Sequence, residues 1–210
     1  MGLIMFLTAQ ETQVLGKFCR QMVYFGLTIV AILFLYFLAD YYHEETFREF
    51  GVVENIQLGL LSLSAILFAG EAVCLKKHSA VLWFLASLCA LGACRELDSF
   101  FDTNLPIISW KFGFLFPIAA TINLYRQRKA ARNSLFYFLE TPAFNLMFTA
   151  VLIGLALAQV LGHRKFIAAV LGEEVNARAV RRILEEGTEV IAYFLILLST
   201  VECYFSFKKK

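Results

Sequence analysis

The sequence of 210 residues has few of the residue types and motifs that mark soluble enzymes. It contains three His and three Pro, and charged residues make up 17% of it, against about 25% in soluble domains. No two His have the spacing of a helical metal site and no Gly-x-Ser-x-Gly occurs, so the motifs of zinc hydrolases and α/β-hydrolases are absent. The five Cys include no Cys-x-x-Cys pair, so neither a redox motif nor a disulfide framework is predicted.

Apolar residues are abundant instead. They form 60% of the chain, 22 of them are Phe, and the mean hydropathy is +0.68. A soluble domain has about 45–50% apolar residues. The net charge of +2 gives no support for nucleic-acid binding, because the basic residues lie mostly in short segments between apolar runs. We therefore predict an all-α, polytopic transmembrane bundle that forms a single integral membrane domain over residues 1–210.

Six apolar segments are long enough, or nearly so, to cross a bilayer, which takes about 20 helical residues. We predict spans at 22–39, 52–75, 80–94, 106–125, 144–162 and 188–207. Thr141-Pro142 is a start signal for the fifth span, since Thr caps helices and Pro favours their first turn. Pro117 is expected to kink the fourth span, and the alternative is a broken helix of the kind that lines transporter paths.

Two flanking segments have helical patterns of their own. We expect residues 8–21 to form a short interfacial helix that leads into the first span. Residues 175–186 have the pattern of an amphipathic helix on the outer side, in which Arg182 and Glu186 are one turn apart. This helix either lies on the membrane surface or continues past Gly187 into the sixth span.

The distribution of charge predicts the orientation of the chain. If the N-terminus is cytoplasmic, the inner side holds eleven of the 19 Lys and Arg residues and the outer side holds thirteen of the 17 Asp and Glu residues. Short loops rich in Lys and Arg stay in the cytoplasm. We therefore expect both termini to be cytoplasmic.

Polar and charged residues from four predicted spans meet on the outer side. Such groups are costly in hydrocarbon, so their positions mark water or a polar partner. If the third helix continues past Arg95, then Arg95, Asp98 and Asp102 share one stripe, from which Glu96 points away. We expect Arg95 to pair with a carboxylate of a neighbouring span, either Glu54 or Glu189, and Lys111 to pair with Asp98 or Asp102. The predicted ligand-binding residues are Glu54, Gln57, Arg95, Asp98, Asp102, Lys111, Glu186 and Glu189.

Several functions fit this constellation. A pocket with both signs of charge suits a zwitterionic lipid headgroup or a small polar molecule, and an excess of carboxylates suits a divalent cation such as Mg²⁺, Ca²⁺ or Mn²⁺. Asp98 and Glu189 are the pair best suited to acid–base catalysis, although whether the chain is an enzyme stays open. In a second hypothesis the charges only join helices in a non-catalytic assembly protein that binds lipids and a membrane-protein partner.

A third hypothesis is a small solute or cation transporter. It requires a polar path from the outer cluster to Glu71 or Glu202, near the opposite ends of their spans. The alternative interpretation of these two acids is that they are interfacial anchors, neutralised by Lys76, Lys77 and Lys208–Lys210.

The run Arg95-Glu96-Leu97-Asp98, continued by Phe100-Phe101-Asp102 and Trp110-Lys111, resembles a group of small multi-pass bacterial inner-membrane proteins. The sequences Glu54-x-x-Gln57 and Glu185-Glu186-x-x-Glu189 are similar to that group too. The resemblance covers residues 49–111 and the last span. It implies a bacterial inner-membrane location and no particular activity. The alkaline-ceramidase-like hydrolases differ, because this chain lacks the paired His of their late span.

Overall fold

A computed structural model of the chain describes residues 9–42, 51–98, 100–101, 109–171 and 177–208. All elements in these ranges are helical, as the sequence predicts. The α-helices are α1 (Ala9–Tyr42), α2 (Val52–Cys74), α3 (Ser79–Glu96), α4 (Leu115–Arg126), α5 (Arg128–Leu139), α6 (Pro142–Leu161), α7 (Arg164–Leu171) and α8 (Ala177–Phe207). Within α6, Leu152–Leu157 form a π-helical segment.

Five of these helices, α1, α2, α3, α6 and α8, contain segments long and apolar enough to cross a membrane. Each contains an uninterrupted run of residues with high hydropathy, and such a run satisfies its backbone hydrogen bonds most readily as a helix in lipid. Thr141 begins α6 as predicted, because its hydroxyl accepts a hydrogen bond from the Phe144 amide and Pro142 occupies the first turn.

The predicted fourth span, 106–125, is only partly described and is not one continuous α-helix. A 3₁₀ helix, Trp110–Phe114, leads into α4, and residues 106–108 lie outside the described residues. Together the two helices are about 28 Å long, close to the thickness of a bilayer core. Pro117 is in the first turn of α4, where its missing amide costs least. Pro117 therefore lies beside a change of helix type rather than inside one continuous α-helix, and the expected kink stays a prediction.

The ends of α1 and α8 also differ from the sequence prediction. A single helix runs from Ala9 to Tyr42, so the separate interfacial helix over residues 8–21 is wrong for the part described. Of the two alternatives for 175–186, the structure has the second, because residues 177–186 continue through Gly187 into the last span. Gly187 does not interrupt α8, since a single Gly in a long helix costs only about 1 kcal/mol.

The core of the bundle is formed by α2, α3 and α8. α2 and α3 form an antiparallel pair, and Gly92 of α3 lies against Leu61 of α2. α2 and α8 run in the same direction, whereas α6 runs opposite to α8, with Ala143 near Ser199 and Gly154 near Ala192. Small residues at these contacts let membrane helices approach closely.

A cluster of buried apolar residues from α2, α3, α5, α6 and α8 fills the centre, and Phe68, Leu82 and Cys203 are among them. By contrast α1 packs mainly on α8 through Tyr24 and Leu35, and most of its apolar side chains are exposed. We call the end of the bundle that contains Arg95 and Glu186 the Arg95 end, and the opposite end, which contains Glu71 and Glu202, the Glu202 end.

Candidate functional site

Arg95 is the centre of a hydrogen-bonded cluster between α3 and α8. Its Nη2 atom donates to Glu189 Oε1 at 2.9 Å and to the Tyr193 hydroxyl at 3.2 Å. The Glu189 side chain is 7% exposed, so the guanidinium compensates a carboxylate that burial would otherwise leave unpaired. Of the two partners expected for Arg95, Glu54 and Glu189, the structure has Glu189.

Glu96 belongs to this cluster, contrary to the prediction that it points away. Its Oε1 atom is 3.2 Å from Arg95 Nη2 and accepts a hydrogen bond of 2.8 Å from the Tyr193 hydroxyl. The Glu96 side chain is 8% exposed. The prediction followed ideal helical spacing, but α3 ends at Glu96, and both side chains are long enough to bend toward Tyr193.

Gln57 and Glu186 connect α2 to α8 at the same end. Gln57 is fully buried, and its Nε2 atom donates to Glu186 Oε2 at 2.9 Å and to the Glu186 carbonyl at 3.2 Å. Gln57 Oε1 is buried without a hydrogen-bond partner among the described residues. The two predicted site residues therefore do meet, and each amide hydrogen of Gln57 has an acceptor.

Carboxylates outnumber bases in this cluster. Glu186 interacts electrostatically with Glu96, Glu185 and Glu189, and the Glu185 carboxylate lies against Gly162, the residue that follows α6. The carboxylates of Glu96, Glu186 and Glu189 thus lie close to one another beside the Arg95 guanidinium. Such an excess of negative charge in a partly buried site favours a cationic ligand or a bound proton.

The other predicted residues are less closely joined. Glu54 is half-buried in the first turn of α2, and Asp98 is half-buried just beyond α3. Lys111 is exposed in the 3₁₀ helix and forms no salt bridge with Asp98. Asp102 lies outside the described residues, so its predicted pairing with Lys111 stays a prediction.

Gly113 places the segment of Lys111 beside the end of α3. A Cβ atom at Gly113 would lie 2.9 Å from Cys94 Cβ and 3.1 Å from Leu91 Cδ1. Only glycine allows this approach, which places the 3₁₀ helix that contains Lys111 beside Cys94, the neighbour of Arg95 in the chain.

The geometry of the described residues does not favour a metal ion or an acid–base pair. Across residues 9–42, 51–98, 100–101, 109–171 and 177–208, no group of three His, Cys, Asp or Glu side chains is placed to hold a metal ion. Glu189 is engaged by Arg95, and no hydrogen bond joins it to Asp98 in the same ranges.

A second polar cluster occupies the Glu202 end. Glu202 is 1% exposed and accepts two hydrogen bonds from Arg20, of 2.8 and 3.0 Å, and one of 3.0 Å from the Tyr24 hydroxyl. Ser206 adds a longer one of 3.4 Å. The interpretation of Glu202 as an anchor neutralised by lysines is therefore wrong, because its cation is Arg20 of α1.

Glu71 is likewise buried rather than interfacial. It is 8% exposed, and its Oε2 atom has no hydrogen-bond partner among the described residues. Lys76 and Lys77 are exposed and form no salt bridge with it. The expected neutralisation of Glu71 by these lysines is wrong as well.

Aromatic and hydroxyl groups complete the Glu202 end. The His78 ring stacks on Phe207 with ring centres 4.2 Å apart, and its Nδ1 atom is 3.0 Å from Ser134 Oγ. Tyr137 donates to the Ser206 carbonyl at 2.8 Å. Burial raises the pKa of the Tyr137 phenol, and the nearby Cys203 and Glu140 raise it further. The phenol thus stays a neutral donor.

The buried polar residues between the two ends do not form a continuous path. Gln57, Ser64 and Glu71 lie at seven-residue intervals on the buried face of α2, about 10 Å apart. The hydroxyls of Ser64 and Thr200 donate to carbonyls of their own helices. Within the described residues, the path required by the transporter hypothesis is therefore interrupted.

Two cavities lie away from the Arg95 cluster, toward the middle of the bundle and the Glu202 end. One, of about 560 Å³, lies between α2, α3 and α4 and is lined mainly by apolar residues that include Ala65, Ala90 and Phe116. The other, of about 400 Å³, lies between α1, α6 and α8 and includes Gln21 and Asn145. None of the predicted site residues lines either cavity.

Sequence reasoning missed several residues of these clusters, and Tyr193 and Arg20 are the two with the most hydrogen bonds to the predicted acids or to Arg95. Tyr193 follows Glu186 by seven residues and Glu189 by four, which places all three on one face of α8. That spacing could have identified Tyr193 as a neighbour of the two predicted acids. Arg20 had a weaker one, since it is a charged residue in a helix that is otherwise mostly apolar.

No protein-family model, curated protein or solved structure matches the chain.

Proposed function

We propose that this chain is a multi-pass protein of a bacterial inner membrane, that both of its termini are cytoplasmic, and that its Arg95 end binds the headgroup of a membrane lipid at the outer face. The observation that carries the proposal is the position of Arg95. Its side chain is 39% exposed, and all of its hydrogen bonds to described residues come from Nη2. The Nε and Nη1 donors are thus open to an anionic group.

The chemistry of a phospholipid headgroup fits the two halves of the cluster. A guanidinium offers paired donors that match phosphate oxygens, and the exposed Lys111 supplies a second positive charge nearby. The nearby carboxylates of Glu96, Glu186 and Glu189 add a negative electrostatic potential that suits an amine. A headgroup with both phosphate and amine therefore fits better than one with phosphate alone.

A cavity on the lipid side supports a lipid rather than a soluble ligand. The apolar cavity of about 560 Å³ includes Ala90, five residues from Arg95 on α3 and hence about 7.5 Å deeper. Its lining is almost entirely apolar, which suits an acyl chain. The polar site and the apolar cavity lie along the same helix.

The test is lipid retention by the full chain in detergent, measured by native mass spectrometry. The probes are phosphatidylethanolamine, phosphatidylglycerol and diacylglycerol, which offer phosphate with amine, phosphate alone and neither. We expect retention to fall in that order. Arg95→Lys keeps the positive charge but loses the paired N–H donors of the guanidinium. We expect it to weaken phosphatidylethanolamine binding about tenfold, or 1.4 kcal/mol. Arg128→Lys, an exposed change at the opposite end, is the matched control.

A non-catalytic assembly protein is the second candidate, and a specific observation favours it. Direct hydrogen bonds within the cluster join α2, α3 and α8 without any ligand. In that case all three probes bind equally and Arg95→Lys changes only stability. Equal retention of the three lipids by the unsubstituted protein would therefore rule out the headgroup site.

A further inference from the structure

Glu71 is an acidic side chain in the interior of the bundle that has no counter-charge among the described residues. It lies one turn before the end of α2 and is 8% exposed. On its own helix it is flanked by Phe68 and Ala72, which belong to the central apolar cluster. One carboxyl oxygen, Oε2, is buried without a hydrogen-bond partner in the described chain.

Glu202 provides the comparison at the same end of the bundle. It is buried to a similar degree, but Arg20 binds it through two nitrogens and Tyr24 through its hydroxyl. Salt bridges within the described residues join Arg20 to Glu202 and Arg95 to Glu96 and Glu189, and none includes Glu71. Two buried acids at the same end therefore have opposite surroundings in the described chain, since Glu202 has a cation beside it and Glu71 has none.

The groups around Glu71 do not supply a positive charge that would neutralise its carboxylate. Across from it on α8 is the Cys203 thiol, which is fully buried and close enough to interact electrostatically. Tyr137 of α5 reaches the same region and interacts with Cys203, while His78 lies beyond it against Phe207. Glu202 is itself acidic and is held by α1. Among the described residues, none of the groups that face Glu71 is a Lys or Arg.

An ionised carboxylate in such a setting is strongly disfavoured, so a positive ion has to neutralise it. A metal ion needs several oxygen ligands, and no group of three acidic, His or Cys side chains is placed for that in the described ranges. A proton needs only one oxygen. We propose that Glu71 is a proton-binding site within the membrane, and that its carboxyl group takes its proton from the Glu202 end, one turn away.

Infrared difference spectroscopy of the full chain in lipid bilayers tests this directly. A protonated carboxylic acid in an apolar environment has a carbonyl stretch that is separate from those of carboxylates and of the backbone. We expect this band at neutral pH in the unsubstituted protein and expect Glu71→Gln to remove it. Glu140→Gln, which changes an exposed acid at the same end, is the control and keeps the band.

Exchange into D₂O tests access to the site. The band shifts to lower frequency if the proton exchanges with solvent at the Glu202 end, and it stays unshifted if the site is sealed, which would overturn the assigned route. Identical carbonyl spectra for the unsubstituted protein and Glu71→Gln would overturn the proton site itself. Failure of Glu71→Gln to fold would also count against it, because a neutral amide closely reproduces a protonated carboxyl.

This inference does not depend on headgroup binding. Lipid retention is measured at Arg95, at the opposite end of the bundle, and the infrared band is assigned with variants that leave the Arg95 cluster intact. If the three lipids are retained equally, the infrared prediction for Glu71 still stands, and if the infrared band is absent, the prediction of headgroup binding still stands.

Discussion

Arg20 and Glu202 are 182 positions apart in the sequence, yet their side chains are joined by two hydrogen bonds of 2.8 and 3.0 Å. The Arg20 guanidinium also lies over the Phe205 ring, 5.3 Å from its centre. This pair fastens α1 to α8, where few other polar contacts exist in the described chain. It is therefore the contact whose loss should most affect the position of α1.

Removing one partner of this pair should be costly. Arg20→Ala leaves Glu202, whose side chain is 2% exposed, without its cation, and we expect a loss of about 3–5 kcal/mol in the free energy of unfolding. Unfolding in mixed detergent micelles, followed by Trp fluorescence, measures it. Arg20→Ala combined with Glu202→Leu should recover most of the loss. If the two substitutions were simply additive, the pair would not be coupled.

A change at Gln57 should make stability depend on pH. Gln57→Glu places a further carboxylate against Glu186, near Glu96 and Glu189, in a fully buried position. Repulsion makes the folded protein bind a proton there more tightly than the unfolded chain does, so the variant is destabilised at high pH and recovers as the pH falls. We expect a loss of about 2 kcal/mol at pH 8 and much less at pH 5.

The control for this prediction is Gln57→Leu, which removes the same hydrogen bonds without adding a charge. Its loss of stability, measured by the same unfolding assay, should differ little between the two pH values. A Gln57→Glu variant as stable at pH 8 as at pH 5 would show that the new carboxylate does not face the acidic cluster.

Gly113 should be intolerant of a side chain. A Cβ there would be 2.9 Å from Cys94 Cβ, so Gly113→Ala forces the 3₁₀ segment away from α3, at a cost of about 1–3 kcal/mol. Gly59→Ala is the control, because nothing lies within 4 Å of its Cβ position and Ala favours a helix by up to about 1 kcal/mol. Thermal unfolding of both variants measures the difference. Equal melting temperatures would contradict the close packing.

Thiol labelling should report both burial and orientation. Cys74 is exposed at the end of α2, whereas Cys89 and Cys203 are buried. In a Cys19→Ser, Cys94→Ser background, we expect a membrane-impermeant maleimide to label one thiol, Cys74, and only in inside-out vesicles. Labelling in right-side-out vesicles would place the Glu202 end outside and reverse the proposed topology.

The positions of the main helices could be predicted because hydropathy along the chain reports contact with lipid or core, whichever neighbours a helix has. Helix ends were harder to predict. Residues 8–21 and 175–186 have surface-like patterns, but the described parts of both continue an adjacent span, since an existing helix extends at little cost. Trp110–Phe114 form a 3₁₀ helix, and apolar composition alone does not distinguish a 3₁₀ helix from an α-helix.

Part of the site could be predicted for a related reason. Arg95, Glu189, Gln57 and Glu186 were expected because they are polar residues at similar depth, and two contacts join them in pairs. The pairing of Arg20 with Glu202 could not be predicted, because it depends on which helices are neighbours. A single sequence gives the depth of each residue but not the arrangement of helices around the bundle.

The position of α1 has a consequence for the order in which the protein is made. Its main partner, α8, follows every other described helix in the chain, so the ribosome completes α8 only after it has synthesised α1. Until then, Arg20 has no Glu202 to bind. The packing of α8 against α1 is therefore the last helix contact that can form. A nascent chain halted before Glu202 retains an unneutralised cation, Arg20, in its first helix.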